Sequence, residues 1–218
     1  ANFSEVSITP ESAAPAMLKS LGKGFTVDDV AAAARLARRA RMPIVWYFMF
    51  GGPGETEQTV RQTFDFIHRH VPDDHLVLLV AGIRIFQGAP LEAQARREGQ
   101  LAPGKGLLEP VWYRPPIPWA DLQRMIDEEL RRHPNYIALQ DDHVPAPLMR
   151  VVSGLHRTLR SRRPIWQFLP YLRRMGNTLG LPLHWGGQGH RASRRPAFRV
   201  PAWRHGGAEY RAARRQTR

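Results

Sequence analysis

Seven consecutive apolar residues, Ile44 to Phe50, run into Gly51-Gly52-Pro53-Gly54, and Glu55-Thr56 then open a helical pattern. An uninterrupted apolar run of this length suits a strand buried on both faces, as in a parallel sheet covered by helices. Three glycines and a proline in four positions impose a tight turn and let a ligand approach the backbone closely. A helix opening at Glu55-Thr56 presents free backbone N–H groups that favour an anionic or polar ligand. The stretch reads as strand–turn–helix, with a ligand face at the C-terminal end of the strand. A turn whose glycines serve geometry alone has the same sequence. It is not a phosphate-binding P-loop, because no Gly-Lys-Ser/Thr follows.

The flanking sequence repeats the alternation. Residues 6–9 read as a short strand, and residues 17–21 as a brief helical turn broken at Gly22-Lys23-Gly24. Thr26 with Asp29 three residues on resembles a capping box, and Val27, Val30 and Ala34 recur at helical spacing toward Arg41. A second helix over residues 56–70 places Val60, Phe64 and Ile67 on its inner face. Residues 76–86 read as one buried strand with a kink at Gly82, followed by a short helix ending near Gly99. Strands alternating with helices of this length argue for a parallel α/β sheet or barrel. Beyond a Gly/Pro-rich loop over residues 100–118, with a short strand at 111–113, a helix from Trp119 to Arg132 carries Leu122, Ile126 and Leu130 on one face. Two weaker, basic helical patterns follow, at about residues 147–159 and 165–176.

Charge divides the chain. Residues 1–149 carry 16 Lys/Arg against 18 Asp/Glu, a net −2, whereas residues 150–218 carry 16 Lys/Arg against one acid, Glu209. The last stretch, 183–218, holds nine Arg with no periodicity and reads as a disordered basic arm. No apolar run approaches the roughly 18 residues that span a bilayer, and residues 1–12 show no secretory pattern, so the expectation is a cytoplasmic protein. There is no cysteine, which excludes disulfides and cysteine-ligated metal within these 218 residues.

Four segments, taken in order, carry a resemblance: SITPES at residues 7–12, LGKGFTVDDV at 21–30, FMFGGPGET at 48–56 and GIRIFQGAPL at 82–91. Together they resemble the C-terminal half of a radical S-adenosylmethionine (SAM) enzyme barrel, in the subgroup that carries a cobalamin-binding domain upstream. The resemblance implies the later strands of a partial (β/α)6 barrel over residues 1–135, then a helical extension over 136–182 and the basic arm over 183–218. It implies binding of SAM against a [4Fe–4S] cluster, and cobalamin as a further cofactor. By the same resemblance, Thr9, Glu11 and Ser12 at one strand end touch the ribose or methionyl group. Phe50, Gly51, Gly52, Gly54 and Glu55 pass close to the adenine at the next, and Ile83, Arg84, Ile85 and Phe86 pack it from a third. Two positions depart from the family pattern: Gln87 stands where Pro is frequent, and Thr9-Pro10 precede Glu11-Ser12 where Gly is usual.

The family's cluster loop, CxxxCxxC, has no counterpart here, and thiolates are what such a cluster requires. The expectation is therefore a fragment, inactive alone, whose missing N-terminal barrel half acts in cis or in trans on a small-molecule or lipid-like substrate. Other readings stay open beside it. Glu55 also suits the positive end of a helix without any ligand. Arg84 on an apolar strand calls for a partner or a ligand anion. The nine histidines show no paired metal spacing and no metal ligand is expected, and Asp141-Asp142-His143 reads as a solvated turn. The basic stretch, with Trp166, Tyr171, Trp185, Trp203 and Tyr210, allows a different function: a degenerate α/β scaffold whose arm binds nucleic acid or an anionic membrane.

Overall fold

A computed structural model of the chain describes residues 6–41, 44–104, 106–138, 150, 153–154, 158 and 165–178. The Ile44–Phe50 run is the second of four parallel strands: β1 (Val6–Glu11), β2 (Ile44–Phe50), β3 (Leu76–Ala81) and β6 (Tyr136–Ala138), hydrogen-bonded in that order. Helices α1 (Pro15–Ser20) and α2 (Val27–Ala40) join β1 to β2, and α3 (Glu57–His70) joins β2 to β3. Then come β4 (Arg84–Ile85), α4 (Pro90–Arg97), β5 (Val111–Trp112) and α5 (Trp119–Arg132), which leads into β6. This is the expected α/β architecture with a parallel sheet.

The two-residue period of β2 assigns its side chains to opposite faces. Trp46, Phe48 and Phe50 enter the main core with Val30 and Ala34 of α2, Val60, Phe64 and Ile67 of α3, and Leu122, Ile126 and Leu130 of α5. These are the inner stripes that helical spacing predicts. Val45, on the other face, packs with Leu76, Leu78 and Ile137, with Tyr47 partly buried beside them. Both faces of β2 are thus covered, as its unbroken apolar run requires. The predicted capping box forms at the start of α2, where Thr26 accepts from the Asp29 N–H and Asp29 accepts from the Thr26 N–H.

The structure alters the sequence reading in two places. Residues 76–86 are not one strand. Gly82 adopts φ +90° and donates its N–H to the Phe50 carbonyl at 2.7 Å; beyond it the chain leaves the main sheet. Arg84 and Ile85 pair antiparallel with Trp112 and Val111 in a separate two-stranded sheet over a satellite core of Ile85, Ala95, Leu101, Leu107 and Tyr113. The segment carrying Ile83, Arg84, Ile85 and Phe86 therefore follows β3 and is not the end of the same parallel strand. The second difference is β6, three buried residues that pair with β3 at the start of the stretch, 136–182, expected as a helical extension.

A 3₁₀ turn (Ile165–Phe168) and α6 (Leu169–Thr178) follow. Trp166 and Leu169 pack on the face of Val45, Leu76, Leu78 and Ile137, so Trp166 serves the fold and not an open arm. Tyr171 is exposed. Arg173 is buried and donates to the Leu130 carbonyl at 2.7 Å and the Tyr136 carbonyl at 2.8 Å, tying α6 to the ends of α5 and β6. Among the described residues no helix is long and apolar enough to cross a membrane. Asp141-Asp142-His143, most of the pattern at 147–159, and the arm at 183–218 with Trp185, Trp203 and Tyr210 lie outside the described residues.

Candidate functional site

Parallel strands bring their C-terminal ends to one edge of the sheet, and there the three candidate segments meet. Glu11 of β1 stands opposite Phe48 of β2, and Gly82 at the end of β3 bonds to Phe50 of β2. Sites in α/β folds gather at such ends because the turns there are free to vary while the sheet is not. The twelve predicted positions are not all exposed, however.

Thr9 is exposed and lines a depression of about 340 Å³ with Ser7, Ile8, Pro10, Phe25 and Asp29. Glu11 is half-buried with φ +65°, at an irregularity in the β1–β2 register, and pairs with Lys23 Nζ at 2.8 Å. A non-glycine residue held at positive φ is uncommon and persists where surroundings over-determine it. Ser12 is buried, its hydroxyl committed to Thr63 Oγ1 at 3.0 Å and to the Ala14 N–H at 3.1 Å, where it holds the chain entering α1. The Phe50 side chain also belongs to the core, stacked on Phe64 with centroids 5.0 Å apart. Only its backbone reaches the strand end.

The Gly51–Glu55 turn owes its glycines to close packing within the protein. Gly51 has φ +91°, and a Cβ there would stand 3.3 Å from the Gly82 backbone; one on Gly52 would stand 3.0 Å from Met17 Cε and 3.2 Å from Ile83 Cδ1. Glu55 is buried and turned back into the turn. One of its carboxylate oxygens accepts from the Gly51 N–H at 3.2 Å, and the other accepts a short bond from the Thr59 hydroxyl. Burial raises its pKa, opposed by the bonds from Thr59, Gly51 and Gly52. Glu55 thus staples the turn from inside. Gly54, at φ +81°, has open space around it.

The remaining segment divides by alternation. Ile85 is buried in the satellite core, while Arg84 and Phe86 lie together, the Arg84 guanidinium 4.8 Å from the Phe86 ring centroid. Phe86 is 57% exposed. Arg84 Nε is buried without a hydrogen-bond partner among the described residues. Of the candidates, Thr9 and Phe86 are exposed, Glu11 and Arg84 are half-buried, and Ser12, Phe50, Gly51, Gly52, Glu55 and Ile85 are buried.

The sequence model of the radical SAM superfamily matches residues 1–67. Over these residues the chain is similar to the radical SAM superfamily. A curated relative, an uncharacterized protein of Methanocaldococcus jannaschii, is 39% identical over 51 residues, 23% of this chain and 10% of that protein. Among solved structures, the radical SAM methyltransferase TsrM from Kitasatospora setae, determined with cobalamin and a [4Fe–4S] cluster bound, superposes with a TM-score of 0.58 at 18% identity. The alignment covers 80% of this chain and 41% of TsrM, so this chain spans less than half of that protein. At this identity the likeness establishes the fold. The archaeal Elp3 of Methanocaldococcus infernus aligns less well, with a TM-score of 0.40 over 60% of this chain and 36% of that one, at 16% identity.

A second cluster lies at the opposite end of α3 and was not signalled by histidine spacing. His68 of α3 stands beside Glu129 of α5, Nε2 to Oε2 at 2.7 Å, and His133 Nε2 lies 3.4 Å from the same oxygen. The sequence signal was available in the Glu129–His133 pair, four residues apart and so on one helix face. Only the packing of α3 on α5 adds His68.

Proposed function

We propose that this chain forms the adenosine-side wall of a radical SAM enzyme, with the iron–sulfur ligands supplied from another segment or another chain. One observation supports the reading above the rest. Glu11, the Gly51–Glu55 turn and residues 83–86 end or follow three neighbouring parallel strands, and Arg84 Nε is buried without an acceptor among the described residues. Leaving a buried donor unpaired costs roughly 1–3 kcal/mol, which a ligand oxygen would relieve. Phe86 beside it offers an aromatic face for a nucleobase, and Glu11 and Thr9 offer oxygens to a ribose.

The metallocofactors stand differently. A [4Fe–4S] cluster needs thiolates, and the chain has no cysteine. These residues do not fit it, and the chain's own part is limited to holding and orienting SAM. Dependence on cobalamin rests on the motif likeness and on the fold shared with TsrM, a protein solved with cobalamin bound. The reaction class in this reading is radical methylation, cyclisation or another C–H transformation of a small-molecule or lipid-like substrate, carried out in the cytoplasm.

S-adenosylhomocysteine, a stable analogue, is the probe for the test. Calorimetric titration into the full chain should give saturable binding that Arg84→Met weakens at least tenfold. Saturable binding that neither Arg84→Met nor Phe86→Ala weakens would remove the adenosine wall from this site.

A further inference from the structure

The His68–Glu129–His133 cluster lies outside the adenosine site and does not depend on that reading. The helix α3 begins at the Gly51–Glu55 turn and runs 14 residues, a rise of roughly 20 Å. His68 therefore lies near the end of the molecule opposite the strand C-termini. Three ligand-type atoms, one from each residue, lie within 4.8 Å of one another. Two imidazole nitrogens and one carboxylate oxygen are a donor set that first-row divalent ions take, zinc above all.

The geometry favours an ion over a simple ion pair in three respects. Both imidazole Nε2 atoms lie within 3.4 Å of one oxygen, Glu129 Oε2, so the three ligand atoms form one compact group. Ligand atoms held tetrahedrally at 2.0–2.1 Å from zinc stand roughly 3.3 Å apart. The His133–Glu129 separation of 3.4 Å already meets that spacing, and the His68–Glu129 separation of 2.7 Å needs a small opening. Finally, the C-terminal turns of α3 and α5 meet here, and the negative ends of two helix dipoles favour a cation. Glu129 is buried, His133 half-buried and His68 exposed, which leaves a path for the ion from solvent. The His68 and His133 rings are stacked at 4.8 Å with planes 27° apart, so one ring must turn about its Cβ–Cγ bond for both lone pairs to meet the ion.

We infer that His68, Glu129 and His133 bind one divalent transition ion, zinc foremost, which clamps α3 to α5 at the end of the sheet away from the adenosine site. The full untagged chain, stripped by chelator, is titrated with zinc chloride in a calorimeter. One equivalent should bind with a dissociation constant in the micromolar range or tighter. At a hundredfold excess over that constant the melting temperature should rise by roughly 5–10 °C. His68→Ala with His133→Ala should weaken binding at least a hundredfold, and Glu129→Gln, which keeps the shape and removes the charge, at least tenfold. Should the variants fail to fold, histidine modification by diethyl pyrocarbonate read by mass spectrometry answers on the wild-type chain. Zinc should then protect His68 and His133 and leave His70 as reactive as before. Absence of stoichiometric binding, binding that survives the double substitution, or zinc protection that misses these two histidines would each overturn the proposal.

Discussion

At the scale of single residues, burial decides what the titratable groups do. His75 is buried, and its Nδ1 accepts the Trp46 indole N–H at 3.1 Å, which fixes it as the neutral imidazole protonated on Nε2. Burial lowers its pKa below the ordinary 6.5, with Arg38 adding to the shift and Asp74 opposing it. An unfolded chain takes up this proton near the ordinary value and the native chain does not, so the stability contribution is full above that pH. It is lost as pH falls from there toward the lowered folded value. Urea midpoints measured from pH 7.5 down to about 5 should fall in the wild type, with His70 and His133, also lowered by burial, adding to the slope. His75→Gln, which keeps an acceptor for Trp46, should remove His75's share of that slope. An unchanged slope would mean that His75 titrates normally. Gly51 makes a second residue-scale case. Its φ of +91° and the 3.3 Å approach of the Gly82 backbone mean that Gly51→Ala should cost about 1–3 kcal/mol in denaturant unfolding.

At the scale of elements, the sequence was most legible where apolar spacing was long and regular. The stripes Val60–Phe64–Ile67 and Leu122–Ile126–Leu130 are visible at helical spacing and are buried as expected. The unbroken run of β2 likewise announced a strand covered on both faces. Residues 76–86 misled because an apolar run does not record where its hydrogen bonds go. The chain turns at Gly82, and only the pairing of Arg84 with Trp112 reveals a second sheet. For β6 the signal was too short, since three apolar residues have no period to read, and the pairing with β3 is a tertiary fact. The glycines of the turn suggest a close approach by a ligand, and the groups that stand close to Gly51 and Gly52 in the fold are Gly82, Met17 and Ile83. Glu55 and Ser12 were singled out from motif context, yet each is occupied inside the fold, by Gly51 and Thr59 in one case and by Thr63 and Ala14 in the other. Arg173 illustrates what spacing cannot supply, a buried cation whose partners are carbonyls of two other elements. Arg173→Met should cost about 1–3 kcal/mol, because the Leu130 and Tyr136 carbonyls each lose a charged donor. Thermal melting should show the loss, and an unchanged melting temperature would mean that α6 contributes little to the fold.

At the scale of the whole molecule, the proposed function gives a cysteine-free chain one part of a divided catalytic task. In that proposal the strand ends hold the nucleoside, and the thiolates that a cluster needs come from another segment or chain. Anaerobic treatment of the chain alone with ferrous iron and sulfide should leave no thiolate-to-iron charge-transfer band after desalting. A stoichiometric cluster on these residues would contradict that division. Most direct is a map of SAM binding by amide chemical shifts on the uniformly labelled full chain, a measurement that tolerates millimolar affinity. The account predicts saturable shifts concentrated at residues 9–12, 50–55 and 82–86. Shifts that fail to saturate, or that concentrate away from these three strand ends, would contradict it.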